Sequence, residues 1–136
     1  MVKQIFINLP VKDLNKTNTF FSGLGFSFNP QFSNEIATCV ILGENIFAML
    51  LKEDFFKSFT TKEICDAKKS VEVLNCIQVE SREKVDELLT IATASGGKEH
   101  REKQDHGWMY ARTMEDIDGH IWEIMFADPS AMPQQA

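Results

Sequence analysis

The sequence predicts an α+β fold in which a strand-helix-strand-strand-strand order is written twice. Three observations carry that prediction. Two short amphipathic helices each follow a β-rich run and begin at a capping residue, Asp13 and Ser81. Val11-Lys12-Asp13 and Val79-Glu80-Ser81 hold the same place in the two halves, ending a strand and capping a helix. The chain then closes on an acidic turn, Asp116 to Gly119, between two further β-rich runs, which is a hairpin signal.

The elements follow in order. Lys3 to Val11 is rich in Ile and Phe and reads as a strand, with Pro10 near its end. Behind Asp13, Leu14, Phe20, Phe21 and Leu24 fall on one side of a helix that Gly23 and Gly25 stop. Phe26 to Phe28, Glu35 to Leu42 and Asn45 to Leu51 read as three strands, broken by turn chemistry at Asn29-Pro30 and Gly43. The text from Lys52 to Ser70 is charged, with scattered Phe. It reads as a crossover with a helical turn or two, tacked down by Phe55, Phe56 and Phe59. Val71 to Glu80 restarts the pattern. Val85, Leu88, Leu89 and Ala92 then make one apolar helix face, ended by Gly96-Gly97. Lys98 to Lys103, Trp108 to Met114 and His120 to Phe126 complete the strands, and the tail from Asp128 to Ala136 reads as irregular. Module one spans about 1–58, the crossover about 52–70 and module two about 71–127, within a single domain of 136 residues. Identity between the halves is low, so the repeat is one of pattern.

A chain of this length buries a real core, and its 43% hydrophobic and 25% charged content is that of a globular protein. The net charge of −6 offers no basic footprint, which argues against nucleic acid or an anionic membrane as a partner. Three widely spaced cysteines, Cys39, Cys65 and Cys76, make neither a zinc spacing nor an even disulfide set. Reduced thiols, no secretory hydrophobic region and no apolar run of membrane-spanning length give the expectation of a cytoplasmic protein.

The residue type that stands out is the acid inside the closing strand, His120-Ile-Trp-Glu-Ile-Met-Phe126. A carboxylate facing an interior costs several kcal/mol unless a partner or a function retains it. Glu123 is therefore the first candidate for chemistry. His120 and Glu123 do not make a ligand pair, because residues three apart on a strand point to opposite sides. His120 reads as a turn-end residue bonded to backbone or to Asp118. Asp116 to Gly119 lacks the remaining positions of a calcium loop and reads as a turn.

The doubled pattern, the opening INLPVKDLNKTNTFFSGLGF and the closing DIDGHIWEIMF resemble the vicinal-oxygen-chelate superfamily of glyoxalase I, bleomycin-resistance proteins and extradiol dioxygenases. The resemblance covers about residues 3 to 127. It implies that each module curls into half of an open, cup-shaped, barrel-like sheet. It also implies four positions in the cup that supply His, Gln or Glu to one divalent ion, which chelates two substrate oxygens. Carried onto this chain, those positions are Phe6, Met49, Leu74 and Glu123, and three of the four are apolar. Gln4 and Gln78 are the conceivable substitutes, and one Glu with two Gln would hold a divalent ion poorly.

The expectation is thus a protein that binds a small, mostly apolar molecule around Glu123, with no resident cofactor and without the metal. The cup would be lined by Phe6, Asn8, Met49, Leu74, Cys76, Gln78 and Met125. Burial among Ile121, Met125, Phe6 and Met49 would suit Glu123 to act as a general base or to hydrogen-bond a ligand. The bland alternative pairs Glu123 with Arg112 across the final hairpin. Trp108, Tyr110 and Arg112 alternate along one strand and share a face. Turned into the cup they would give aromatic walls and a cation; turned to the helices they would be core and ion pair. Cys76, with no adjacent base, reads as packing, and Asp105-His106 as a rim pair or a solvated loop. A homodimer is expected, since such proteins often complete or bury their cups by pairing. The competing functions are a metal-dependent lactoylglutathione-lyase-like enzyme or dioxygenase, and a purely structural interaction module.

Overall fold

The computed structural model describes residues 1–133, which form two compact units, Met1–Asp66 and Ala67 onward. Their boundary falls inside the crossover segment.

In unit one the sheet order is β1-β4-β3-β2, from β1 (Ile5–Val11), β2 (Ser27–Phe28), β3 (Ala37–Gly43) and β4 (Ile46–Lys52). β1 lies parallel to β4 and the other pairs are antiparallel. Helix α1 (Leu14–Gly23) starts where Asp13 accepts from the Lys16 N–H at 3.1 Å. It ends in a Schellman turn: Gly25, at φ +96°, donates to Ser22, and Phe26 donates to Phe21 at 3.2 Å. The Phe21 and Phe26 rings close that turn at 6.2 Å. Leu14, Phe20 and Phe21 are buried with Leu9, Val11, Val40, Ala48 and Leu50, so α1 covers one face of the sheet. Helix α2 (Glu53–Lys57) is the predicted turn or two of the crossover and packs on β1 and β4. Phe55 and Phe59 meet edge to face at 5.0 Å, yet Phe59 stays exposed rather than tacked down.

Unit two repeats the plan. Its order is β5-β8-β7-β6, from β5 (Leu74–Gln78), β6 (Lys98–Asp105), β7 (Met109–Glu115) and β8 (Ile121–Ala127), with β5 parallel to β8. Helix α3 (Arg82–Ala94) is capped by Ser81 accepting from Lys84 at 3.0 Å. It ends as α1 does, with Gly96 at φ +101° and Gly97 donating to Ala92 at 2.9 Å. Val85, Leu88, Leu89 and Ala92 pack on the face carrying Met114, Trp122 and Ile124.

The repeat extends to the register. Phe6 lies opposite Phe47 and Asn8 opposite Met49; in the same relation Leu74 lies opposite Ile121 and Cys76 opposite Glu123. Each unit is therefore a four-stranded mixed sheet with a helix on one face. Among the described residues no strand pairing closes either sheet into a barrel. Of the tail, Pro129–Ala131 is a turn of 3-10 helix capped by Asp128, and residues 134–136 lie outside the described residues.

Candidate functional site

The face of each sheet away from its helix, here the distal face, holds most of the candidate residues. In unit one it presents Phe6, Asn8, Phe47 and Met49. Phe6 and Phe47 stack at 4.9 Å with 15° between planes, and Phe32 meets Phe6 edge to face at 6.2 Å. Phe6 is 41% exposed, Asn8 is exposed and Met49 half-buried. Gln4 lies before β1 and donates to Asn45 at 3.5 Å.

In unit two the distal face is built in cross-strand rows. One row runs Arg101, Thr113, Glu123, Cys76 across β6, β7, β8 and β5. The rows beside it run Lys98, Glu115, Ile121, Leu74 and Gln104, Ala111, Met125, Gln78. Leu74, Cys76, Gln78, Met125 and Glu123 thus share one face, as their alternation requires.

Glu123 is half-buried, not sunk in an interior as its apolar neighbours implied. Among the described residues its carboxylate has no hydrogen bond and no ion pair. It acts on Cys76: burial pushes that thiol up from its ordinary value, and the Glu123 charge pushes it further. Cys76 is a thiol held protonated, which agrees with its reading as inert.

Tyr110 and Arg112 take the other orientation that the alternation left open. They lie on the face under α3, and neither joins Glu123. The Tyr110 hydroxyl donates to Asp86 at 2.6 Å, and Arg112 donates to Asp86 at 2.9 Å and to both oxygens of Glu99 at 2.8 Å. The Tyr110 bond, then Arg112, holds the Asp86 carboxyl below its ordinary value, and Arg112 does the same for Glu99. These residues with Glu102 and Lys103 line an open hollow of about 590 Å³ on the outside of the unit. Trp108 precedes β7 and is half-buried. The alternative that paired Glu123 with Arg112 is therefore not what the chain forms. The hairpin sets Arg112 opposite Ile124 and Glu123 opposite Thr113, so the two side chains leave opposite faces.

The closing turn is held by a residue other than those singled out. Asp116, 4% exposed, accepts from the backbone of Asp118 at 2.9 Å and of His120 at 3.0 Å through Oδ1, and from the Trp122 indole at 2.9 Å through Oδ2. Burial pushes its carboxyl up, opposed by the charge of His120 and by the Trp122 bond. His120 is a turn-end residue bonded to backbone, as expected: its carbonyl accepts from the Asp116 N–H at 2.9 Å, and its own N–H donates to the Asp116 side chain. Asp105 is tied to Arg82 by two bonds of 2.7 and 2.9 Å and accepts from the Gly107 backbone, so it braces a loop.

Thr113 was also missed, although the hairpin centre could have found it. Pairing outward from Asp116 to Gly119 sets Glu115 against Ile121 and hence Thr113 against Glu123.

A family-type metal does not fit these side chains. In unit one Phe6 and Met49 offer no oxygen or nitrogen; in unit two Leu74 offers none and Glu123 a single carboxylate. No group of three or more His, Cys, Asp or Glu able to hold an ion occurs among the described residues.

No protein-family model and no curated protein matches the sequence. Solved structures do match. A hypothetical protein, SA1046, from S. aureus is 24% identical, with a TM-score of 0.79 over 93% of this chain and 95% of its own. A glyoxalase-related enzyme from Fulvimarina pelagi is 21% identical, with a TM-score of 0.77 over 99% and 94%. A glyoxalase/bleomycin resistance protein/dioxygenase family enzyme from Burkholderia phytofirmans PsJN is 16% identical, with a TM-score of 0.73 over 90% and 96%. Two units of the same βαβββ order, the same register and this likeness over nearly the whole chain give it the fold of these glyoxalase/bleomycin-resistance proteins.

Proposed function

We propose that this is a glyoxalase/bleomycin-resistance-type protein that binds a small, mostly apolar molecule at the distal face around Glu123, without the superfamily's metal. One observation carries the reading. A half-buried carboxylate set between Ile121 and Met125 has no hydrogen-bond or ion-pair partner among the described residues, so a bound molecule is the natural source of one. The donor chemistry at the four inherited ligand positions supports a site that works without an ion. Nothing in the site calls for a bond-breaking step, so the reading is of binding.

Calorimetric titration of the purified protein with zinc and nickel, after elemental analysis and native mass spectrometry, tests it. Weak or no metal uptake together with a carried-over organic ligand supports the reading. Stoichiometric tight metal binding would replace it with a metal-dependent lyase or dioxygenase. Glu123→Gln should weaken ligand binding while leaving the unfolding midpoint unchanged, and a variant that keeps both sinks the functional role of Glu123.

The reading includes a homodimer, supported by apolar side chains left to solvent on each unit: Ile5, Phe6, Phe32 and Ile46 on the first, Val71, Val73 and Leu74 on the second. Light scattering behind gel filtration would return a monomer mass if that part is wrong. It also includes a cytoplasmic location, supported by three free thiols. Among the described residues, no helix is long and apolar enough to cross a membrane.

A further inference from the structure

The charges around Glu123 narrow what that molecule can be. The cation in its own row, Arg101, stands two strands away on β6, roughly 9–10 Å by ordinary strand spacing, and makes no ion pair with it. In the next row Lys98 pairs with Glu115 at 3.6 Å, and His100, at the bulge beside that row, lies 3.8 Å from the same carboxylate. On the opposite face Arg112 is consumed by Asp86 and Glu99. What borders Glu123 directly is neutral: Thr113 and Cys76 across the row, Ile121 and Met125 along the strand. A positive charge for this carboxylate would therefore come from a bound molecule that also suits an apolar surround.

We propose that the distal face of unit two selects an organic monocation, a protonated amine on an apolar or aromatic body, with the ammonium hydrogen-bonded to Glu123. The body lies along Met125 and the exposed Leu74, with the buried Ile121 and Thr113, 6% and 5% exposed, as the floor beside Glu123, and the exposed thiol of Cys76 offers a neutral contact beside the ammonium. The inference rests on the face being a binding surface and adds the charge of what it binds. An anionic ligand would meet the Glu123 charge, and a neutral one would leave that carboxylate unpaired under its body.

The experiment uses the full-length, isotope-labelled protein and three ligands of one shape: phenethylamine, phenethyl alcohol and phenylacetate. Each is titrated while the backbone amide resonances of Thr113, Cys76 and Glu123 are followed by NMR. The amine is expected to bind about tenfold more tightly than the alcohol, as a charge-assisted bond in a part-buried site allows, and the acid most weakly. In Glu123→Gln the amine should fall to the level of the alcohol, while the alcohol holds its affinity. If the alcohol perturbs these resonances and the amine binds no better, the surface remains a binding surface and the charge selection is wrong. Amine selectivity that survives in Glu123→Gln also overturns it. If none of the three perturbs the face, both this inference and the reading beneath it fall.

Discussion

The bond network of Asp116 makes a prediction that separates charge from shape. Replacing Asp116 by Asn keeps every heavy atom in place, and the amide oxygen can still accept from the backbones of Asp118 and His120. The amide nitrogen must then occupy the Oδ2 position, 2.9 Å from the Trp122 indole nitrogen, where two donors confront each other. Trp122 is 1% exposed, so no water stands ready to help. Losing a bond to a charged acceptor costs about 1.5–3 kcal/mol, and leaving buried donors unmet adds about 1–3 kcal/mol. Removing a carboxylate that burial already disfavours returns part of this. The expected net loss is roughly 3 kcal/mol, or about 10 °C in the melting midpoint for a chain of this length. Urea unfolding of four proteins measures it: the native chain, Asp116→Asn, Trp122→Phe and the double variant. With the indole N–H gone, the Asn substitution should cost less than about 1 kcal/mol, giving a coupling near 2 kcal/mol. Equal costs in both backgrounds would refute the assigned role of the Trp122 bond.

Three further outcomes follow from the same geometry. Arg112→Met should destabilise by about 1–2 kcal/mol near neutrality, a figure discounted because Asp86 and Glu99 are part-exposed. Their folded values are depressed, so the stability they contribute is fully present above the ordinary carboxylate range and is lost as pH falls from there through the depressed folded values. The gap between native and variant urea midpoints should accordingly shrink from pH 6 to about pH 3, and a constant gap would contradict this. Burial raises the Cys76 thiol and the Glu123 charge raises it further, so Glu123→Gln should quicken alkylation of Cys76 by iodoacetamide near pH 8 against Cys65 as internal standard. An unchanged ratio, read by peptide mass spectrometry, would count against that coupling. Gly119→Ala should lower stability by about 1–3 kcal/mol, because Gly119 sits at φ +95° and a Cβ there would lie 2.8 Å from the backbone of Ala67 and Lys68. A midpoint within error of the native one would show that the 67–68 segment yields.

Elements and their order were legible because each rests on local chemistry. Asp13 and Ser81 accept the bonds expected of caps, Gly25 and Gly96 take left-handed turns, and Val85 to Ala92 lay one face on the sheet. The alternation along β5 and β8 was equally local, so Leu74, Cys76, Gln78, Glu123 and Met125 fell together. What alternation alone leaves open is which face a helix covers. Trp108, Tyr110 and Arg112 read equally well either way, and Asp86, distant in sequence, decided the matter for Tyr110 and Arg112. Asp116 was read as a turn residue because nothing local distinguishes an acid that shapes a loop from one that also reaches a buried indole. The half-exposure of Glu123 was hidden for a related reason. Neighbours along a strand show what is near an acid, not whether anything lies above it.

In both sheets the leading strand has one strand partner, and it is the last strand of that sheet to be synthesised. A nascent chain must therefore carry β5 unpaired while α3, β6 and β7 emerge, and closure of that long loop waits for Ile121–Ala127. The strand bearing Glu123 is thus the keystone of assembly. Chains released before it would hold Leu74–Gln78, a neutral strand, open at both edges and prone to join other chains. Quality control of this protein would be decided as Ile121–Ala127 emerges, where the fold and Glu123 arrive together.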